Sequence, residues 1–304
     1  MRPTKTNSTV EQYKNRFTLL NRQYDEEHGF DWSADPIKFA TWCYQEAVNR
    51  KLKKSTWRQY RAALIWHFET CGPIEAKKHI LDLGQVPAWH DSPDRTSSMR
   101  MKRQDLEDIQ KIMEHLRPRK GTHDQLLVLW LFSSRITGLR PVEWAMASIE
   151  KNTLVVKNAK NTNSRGLGET RRLSLSLLPE KEQRIVKSFV EYYHRQADNY
   201  GYDKLYTYVR QRLWRLNKKI WPKRKKHLTL YSGRHELSRN LKSAGLPQNE
   251  IAAAFGHKSQ ETVQNNYARR PRSGNYKPYA AITPDPEDVS KVQGQPRQKP
   301  SFSS

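Results

Sequence analysis

A break in the apolar pattern between Val86 and Met101 most constrains how this chain can fold. The segment VPAWHDSPDRTSSMRM has neither helical nor strand periodicity, and it contains two prolines and several small polar residues. Such a composition is typical of a linker. A chain of 304 residues is long enough for two domains that each bury a core. The sequence therefore predicts a linker at residues 87–101 with one domain on each side.

The segment before the linker is predicted to be a helical bundle. Residues 1–9 are polar and are expected to form a flexible arm. Within residues 10–86, apolar side chains recur at helical spacing. They include Tyr13, Phe17, Leu20, Phe39, Trp42, Trp57, Tyr60, Leu64 and Phe68. Cys43 and Cys71 have no CxxC neighbour, so we expect both to be buried apolar side chains rather than part of a disulfide or a zinc site.

The segment after the linker is predicted to be mostly helical with one small antiparallel hairpin. Helical spacing of apolar residues recurs in LEDIQKIMEHL and LLVLWLF, and again over residues 185–193 and 205–220. Residues 153–156 and 172–177 are β-branched or alternating and flank a polar turn with glycines. Residues 276–304 are rich in Pro, Gln and Ser and are expected to be a flexible tail. The expected fold class is mainly α with a small antiparallel β-sheet.

The net charge is the first indication of function. The chain has 55 Lys and Arg against 31 Asp and Glu, a formal charge of +24. Residues 276–304 contribute only 4 − 3 = +1 of this, so the excess lies in the folded body. A body this basic attracts polyanions, among which nucleic acid is the commonest partner. Binding to anionic lipid, or a basic surface without a partner, remains an alternative.

Two clusters of basic residues are candidate contacts to DNA phosphates. The first lies at and beyond the start of one helix of the bundle and consists of Lys53, Lys54, Arg58 and Arg61. The second follows a proline that ends a helix and consists of Lys223, Arg224 and Lys225. Either cluster could instead be ordinary solvated surface.

Membrane insertion and export are not indicated. No stretch approaches the ~20 apolar residues that a membrane helix needs. The first residues, MRPTK, lack the apolar segment of a signal peptide. We therefore expect a protein of the cytoplasm, associated with the nucleoid if the host is a bacterium.

Two motifs place an arginine at the start of a predicted helix. In GLRPVEW, the proline suits the first turn of a helix, so Arg140 would lie at the helix N-terminus, where backbone N–H groups favour an anion. Its alternative role is a simple ion pair with Glu143. In YSGRHEL, Ser232 is the predicted N-cap and Arg234 lies in the first turn.

A third motif lies further along the chain. His257 directly follows a glycine that ends a predicted helix, and a short helix from Ser259 is expected to carry Tyr267. Taken alone, a histidine or a tyrosine here is more often a buried structural side chain than a functional one.

Taken together and in order, these motifs resemble the catalytic domain of the tyrosine recombinase (phage integrase) family. The resemblance covers residues 101–270 and includes GLRPVEW, the hairpin, RHELSRNL and AAFGHKSQETVQNNYA. It implies a mixed α/β tyrosine-recombinase catalytic domain at residues 102–275 and a helical core-DNA-binding domain at residues 10–86. The implied activity is site-specific recombination of double-stranded DNA by a homotetramer on paired sites, with no cofactor, metal ion or ATP.

The resemblance also implies roles for individual residues. Arg140 and Arg234 match the two catalytic arginines, and His257 matches the second histidine or tryptophan position. Tyr267 matches the nucleophile, which forms a 3′-phosphotyrosyl link to DNA. Glu143 matches the acidic residue that braces the site.

Two further positions are implied less directly. Lys160 matches the hairpin lysine, whose expected role is that of a general acid. Lys157 is the alternative, because the sequence does not fix the register of the hairpin. Tyr231 stands where the family usually has a histidine, and its hydroxyl could orient the phosphate. Gly233 replaces a leucine, and we expect it to loosen the local packing.

The chemistry independently requires such residues. A phosphodiester is anionic, so attack on it needs positive groups that compensate the charge developing on the nonbridging oxygens, and two guanidiniums do this well. A tyrosine has a reference pKa of ~10 and needs a group that accepts its proton or stabilises its oxyanion. Two alternatives remain: a DNA-binding protein of this fold without activity, and an enzyme like the type IB topoisomerases.

Overall fold

The computed structural model describes residues 7–87, 106–116, 123–159, 166–260 and 277–294. The chain divides into two compact units, Met1–Thr96 and Ser97–Ser304. Apart from residue 87, the linker expected at residues 87–101 lies outside the described residues. Within the described ranges, no helix is both long and apolar enough to cross a bilayer.

Within residues 7–87, the first unit is a bundle of four helices: α1 (Asn7–His28), α2 (Pro36–Asn49), α3 (Lys54–Cys71) and α4 (Ile74–Asp82). The start of α2 is fixed locally, because Oδ1 of Asp35 accepts a hydrogen bond from the backbone N of Lys38 at 2.9 Å. The core is aromatic, with Phe17, Tyr24, Phe39, Trp57 and Phe68 buried. The bundle predicted from helical periodicity is therefore present.

Two details of this unit differ from expectation. Helix α1 begins at Asn7, so the flexible arm predicted over residues 1–9 is wrong for residues 7–9, where polar side chains form a first turn that apolar periodicity does not mark. Both cysteines are free, but only Cys43 is buried. Cys71 is exposed because it is the last residue of α3, beyond the buried Phe68. Its predicted burial is wrong.

The second unit combines seven α-helices of the described residues with a 3₁₀-helix and a small sheet. The helices are α5 (Leu106–Leu116), α6 (His123–Thr137), α7 (Glu180–Tyr200), α8 (Tyr202–Ile220), α9 (Ser232–Ser243), α10 (Gln248–Ala254) and α11 (Pro286–Ser290), and the 3₁₀-helix is Pro141–Met146. The strands are β1 (Ser148–Glu150), β2 (Thr153–Lys157), β3 (Thr170–Ser174) and β4 (Thr283–Pro284). This is the mainly helical fold with a small antiparallel sheet that the sequence predicts.

The sheet has the order β1-β2-β3-β4, and every neighbouring pair is antiparallel. The predicted hairpin is the β2–β3 pair, in which Val155 pairs with Arg172 and Val156 with Arg171. Burial alternates along both strands, so that Val156, Arg171 and Leu173 are buried. This alternation places an arginine among the side chains of the core.

The C-terminal segment is ordered where it is described. Strand β4 pairs with β3, Ile282 is fully buried, and Asp288 accepts a hydrogen bond from the backbone N of Arg172 at 2.7 Å. The flexible tail predicted over residues 276–304 is therefore wrong for residues 277–294. The Asn240 side chain also bonds to the backbone O and N of Tyr279 at 2.8 and 2.9 Å. These tertiary contacts are not visible in the polar, proline-rich composition of the segment. Residues 295–304 lie outside the described residues.

Candidate active site

The site is built around a buried carboxylate, Glu143. This residue lies in the 3₁₀-helix and is only 1% exposed. Its Oε2 accepts a hydrogen bond from the backbone N of Arg140 at 2.9 Å, and its Oε1 lies 2.5 Å from NH1 of Arg140. The ion pair considered from the sequence is present. Arg140 is the N-cap residue of the helix that follows it, as predicted, and this helix is a 3₁₀-helix of six residues.

A second arginine, Arg171, also forms an ion pair with the carboxylate of Glu143. Its NH2 donates to Oε2 of Glu143 at 2.8 Å, and its NH1 lies 3.3 Å from Oε1. The Arg171 side chain is fully buried. Arg171 belongs to none of the motifs that predict the site. The available signal was its phase in the strand, because Arg171 alternates with Leu173 and Leu175, whereas Arg172 is on the opposite face.

The guanidinium of Arg234 is held in a fixed orientation at the start of α9. NH1 donates to the carbonyl of Gly138 at 2.8 Å, and NH2 donates to the carbonyl of Phe255 at 2.8 Å. The guanidinium also stacks 4.3 Å from the centre of the Phe255 ring. Arg234 lies in the first turn of the helix, as predicted.

The start of α9 differs from the prediction in two ways. Ser232 is the first helical residue rather than the N-cap, and its Oγ accepts a hydrogen bond from the backbone N of Thr229 at 2.9 Å. Gly233 does not loosen the packing. A Cβ at this position would lie 2.5 Å from the backbone carbonyl carbon of Ser134 in α6. The glycine therefore lets α9 approach α6 closely.

His257 completes the cluster. The turn before it requires Gly256 with φ +67°, and it brings Nε2 of His257 to 3.1 Å from NH2 of Arg140 and 3.3 Å from NH2 of Arg234. Burial lowers the pKa of His257 to about 2, and the neighbouring guanidiniums act in the same direction. The imidazole is therefore neutral at physiological pH.

The charges of this cluster do not balance. Burial would raise the pKa of Glu143, but Arg171, Arg234 and Arg140 outweigh this effect and hold the pKa well below its ordinary value. Three guanidiniums and one carboxylate give 3 − 1 = +2 around a neutral imidazole. A buried site with this excess is suited to bind a ligand with at least one negative charge.

Two of the remaining candidates, Lys157 and Tyr231, lie in the described part of the chain. Lys160 and Tyr267 lie outside the described residues. Lys157 is at the end of β2, where its Nζ lies 3.4 Å from Oε1 of Glu169. Tyr231 is half-buried directly before α9, and its ring centre lies 5.7 Å from that of His235. Its ring borders a cavity together with Pro141 and Trp214.

The predicted DNA contacts fall into two groups. Five of the seven are exposed: Lys53, Lys54, Arg58, Lys223 and Lys225. The other two already have partners within the protein. Arg61 donates to the carbonyls of Ile80 and Leu81 at 3.1 and 3.0 Å. Arg224 lies 3.0 Å from Asp108 and 3.9 Å from the centre of the Trp221 ring.

A protein-family model and several solved structures match the chain. The model of the phage integrase family matches residues 102–272. The lambda integrase tetramer bound to a Holliday junction is 14% identical with a TM-score of 0.53, over 91% of this chain and 76% of that chain. The Tn1549 transposon integrase in complex with transposon right end DNA is 14% identical with a TM-score of 0.50, over 89% of this chain and 92% of that chain. No curated protein matches the chain in sequence.

Proposed function

The chain belongs to the phage integrase family, and we propose that it is a site-specific DNA recombinase that works through a 3′-phosphotyrosyl intermediate. One observation carries this proposal: NH2 of Arg140 and NH2 of Arg234 meet at Nε2 of His257, within 3.3 Å, in a buried site of net charge +2. Donors arranged in this way suit the nonbridging oxygens of a phosphodiester.

Glu143 supports this arrangement without competing with the phosphate. Both of its oxygens already accept hydrogen bonds from guanidiniums or from backbone N–H. The carboxylate thus orients Arg140 and offsets one of three positive charges. The charge that remains is available to stabilise the negative charge of the transition state.

The reaction proposed is a reversible transesterification. The hydroxyl oxygen of Tyr267 forms a bond to phosphorus, and the bond between phosphorus and the 5′ oxygen breaks. The phenolic proton passes to Nε2 of His257, because the negative charge of the bound phosphate offsets the guanidiniums that lower the pKa of this imidazole in the free protein. Lys160 protonates the leaving 5′ oxygen. A 5′ hydroxyl from another strand reverses these steps and joins new partners. The phosphodiester energy is retained, so this scheme requires neither a metal ion nor ATP.

We further propose that the two parts of the chain have different roles. Residues 10–86 bind core DNA, residues 102–275 carry the chemistry, and the five exposed basic residues contact phosphates. Strand exchange between two duplexes requires four cleavages, and the lambda integrase structure is a tetramer on a Holliday junction. We therefore propose a homotetramer on paired DNA sites, acting in the cytoplasm or on the nucleoid.

The test is covalent trapping on DNA. The wild-type protein is incubated with a pool of random-sequence duplexes, each nicked so that the cleaved fragment escapes, and adducts are separated under denaturing conditions. We expect an adduct from the wild-type protein, none from Tyr267→Phe, and an undiminished adduct from the control Tyr276→Phe. Sequencing the attached strands then identifies the target site.

Other outcomes would replace the proposal. An adduct that persists in Tyr267→Phe would remove Tyr267 as the nucleophile. DNA binding without any adduct would favour the inactive DNA-binding protein, for which Tyr231 in place of histidine is the motivating observation. Relaxation of supercoiled DNA by the monomer on arbitrary sequences would favour an activity like that of the type IB topoisomerases.

A further inference from the structure

Arg171 is a fully buried charged group to which the proposed reaction assigns no contact with DNA. Every nitrogen of its guanidinium donates a hydrogen bond. Nε donates to the carbonyl of Ala254 at 3.1 Å, NH1 to Oδ1 of Asn158, and NH2 to Oε2 of Glu143 at 2.8 Å. The side chain has no exposed surface with which to touch a bound phosphate.

The partners of Arg171 belong to three separate parts of the site. Glu143 holds Arg140. Ala254 is the last residue of α10, three residues before His257. Asn158 directly follows β2, and its Nδ2 donates to the carbonyl of Gly168 at 2.9 Å, across the base of the β2–β3 hairpin. Lys160 lies between these two strands in sequence.

We propose that Arg171 is a positioning residue: its hydrogen bonds set the positions of Arg140, the turn that carries His257, and the base of the hairpin relative to one another. This inference rests on the proposed function, because the quantity that the positioning affects is the rate of strand cleavage. Placement of reacting groups is worth large factors in rate, and an error of about 1 Å can cost about 10²-fold.

Glycine at position 256 lets the backbone approach the side chains of Asn158 and Arg171 closely. A Cβ on Gly256 would lie 2.5 Å from Oδ1 of Asn158 and 3.0 Å from NH1 of Arg171. The residue that precedes His257 is thus in direct contact with both side chains. A displacement of Arg171 would therefore reach the backbone of His257 without an intermediate side chain.

The variant Arg171→Lys tests the positioning role of this side chain separately from its positive charge. A lysine retains one positive charge, but a single ammonium cannot direct planar donors to three partners at once. The matched control is Arg172→Lys, because Arg172 is the next residue in β3 and its partly exposed guanidinium pairs with Glu150 at 2.8 Å. Single-turnover adduct formation and DNA affinity are measured separately for each variant.

We expect Arg171→Lys to lower the rate constant of adduct formation by about 10²-fold and to leave DNA affinity within about twofold of the wild-type value. Arg172→Lys should leave the rate constant within about twofold. A rate constant of Arg171→Lys within about threefold of wild type would overturn the inference, and so would a loss of affinity that equals the loss of rate.

A double-mutant cycle tests the path through Glu143. If Arg171 acts on Arg140 through that carboxylate, Glu143→Gln combined with Arg171→Lys should lose little more rate than the more damaging single variant. Fully additive losses would contradict this path.

A second variant keeps the test decisive if Arg171→Lys does not fold. Asn158→Ala removes one partner of Arg171 and leaves the pair with Glu143 intact, and we expect about a tenfold loss of rate at unchanged affinity. An unchanged rate would then overturn the inference. An adduct from the wild-type protein is the premise of all these measurements, so its absence would reject the proposed function, and this inference with it, whereas a wild-type adduct with unaffected variants would reject the inference alone.

Discussion

Arg140 and His257 are 117 residues apart in the chain, yet NH2 of Arg140 lies 3.1 Å from Nε2 of His257. A guanidinium can only donate hydrogen bonds, so Nε2 is the acceptor and the proton of the imidazole is on Nδ1. This is the neutral form of the ring, in agreement with a pKa that burial and the guanidiniums lower. A neutral His257 has an open position for a proton, which it can hold once a bound phosphate offsets the charge of the guanidiniums.

The neutral state of His257 predicts a pH dependence of stability. The unfolded chain binds a proton at His257 near pH 6.5, whereas the folded protein does so only near pH 2. Because the pKa is lower in the folded state, the contribution of this group is present above pH 6.5 and is lost as the pH falls. From pH 7.5 to pH 5 we expect the free energy of unfolding to decrease by about 2 kcal/mol through this residue.

Chemical denaturation of the free protein at both pH values measures this effect. His257→Gln is the control, and its loss of stability between the two pH values should be about 2 kcal/mol smaller than that of the wild-type protein. Glu143 does not alter the comparison, because it is present in both proteins and its lowered pKa keeps it charged. Equal losses would show that His257 titrates normally in the folded state.

The close approach of α9 to α6 at Gly233 predicts that this position tolerates no side chain. A Cβ there would lie 2.5 Å from the carbonyl carbon of Ser134 and 2.7 Å from the backbone N of Arg135. Backbone atoms cannot turn aside, so Gly233→Ala should force α9 away from α6 and destabilise the second unit by about 1–3 kcal/mol or more. Gly294→Ala is the matched control, because a Cβ there would meet nothing within 4 Å. Similar denaturation midpoints for the two variants would contradict the close approach.

The sequence predicts well those features that depend on the periodicity of apolar residues and on the order of motifs along the chain. Helical spacing of apolar residues locates both helical regions, and alternation locates β2 and β3. The resemblance of the ordered motifs to the tyrosine recombinase family selects Arg140, Glu143, Arg234 and His257, which the structure brings together. The positions of Lys160 and Tyr267 remain predictions.

The features that the sequence does not reveal depend on tertiary contacts. Alternation with Leu173 places Arg171 rather than Arg172 on the buried face of β3, but its pairing with Glu143 depends on a contact between distant parts of the chain. The role of Gly233 requires knowledge of the facing helix α6. Strand β4 has two residues and pairs with β3, more than a hundred residues earlier in the chain, so no local pattern marks it.

The packed C-terminal segment predicts a contribution to stability. Ile282 is fully buried beside β4, and Ile282→Ala should destabilise the second unit by about 2–5 kcal/mol through lost burial and a residual cavity. Leu177→Ala is the control, because Leu177 is 68% exposed and should change stability by less than about 0.5 kcal/mol. Denaturation curves of both variants decide this, and an unaffected Ile282→Ala would show that the segment is not anchored.

The two arginines of α3 are expected to act differently, one on DNA affinity and the other on stability. Arg58 is exposed, and as a phosphate contact it should contribute to DNA affinity and to its salt dependence. Arg58→Ala should therefore weaken binding and reduce the slope of log affinity against log salt by about 1, at unchanged stability. Arg61 instead caps the end of α4 through the carbonyls of Ile80 and Leu81. Arg61→Ala should lower the stability of the first unit, and a salt slope that changes only in this variant would reverse the assignment.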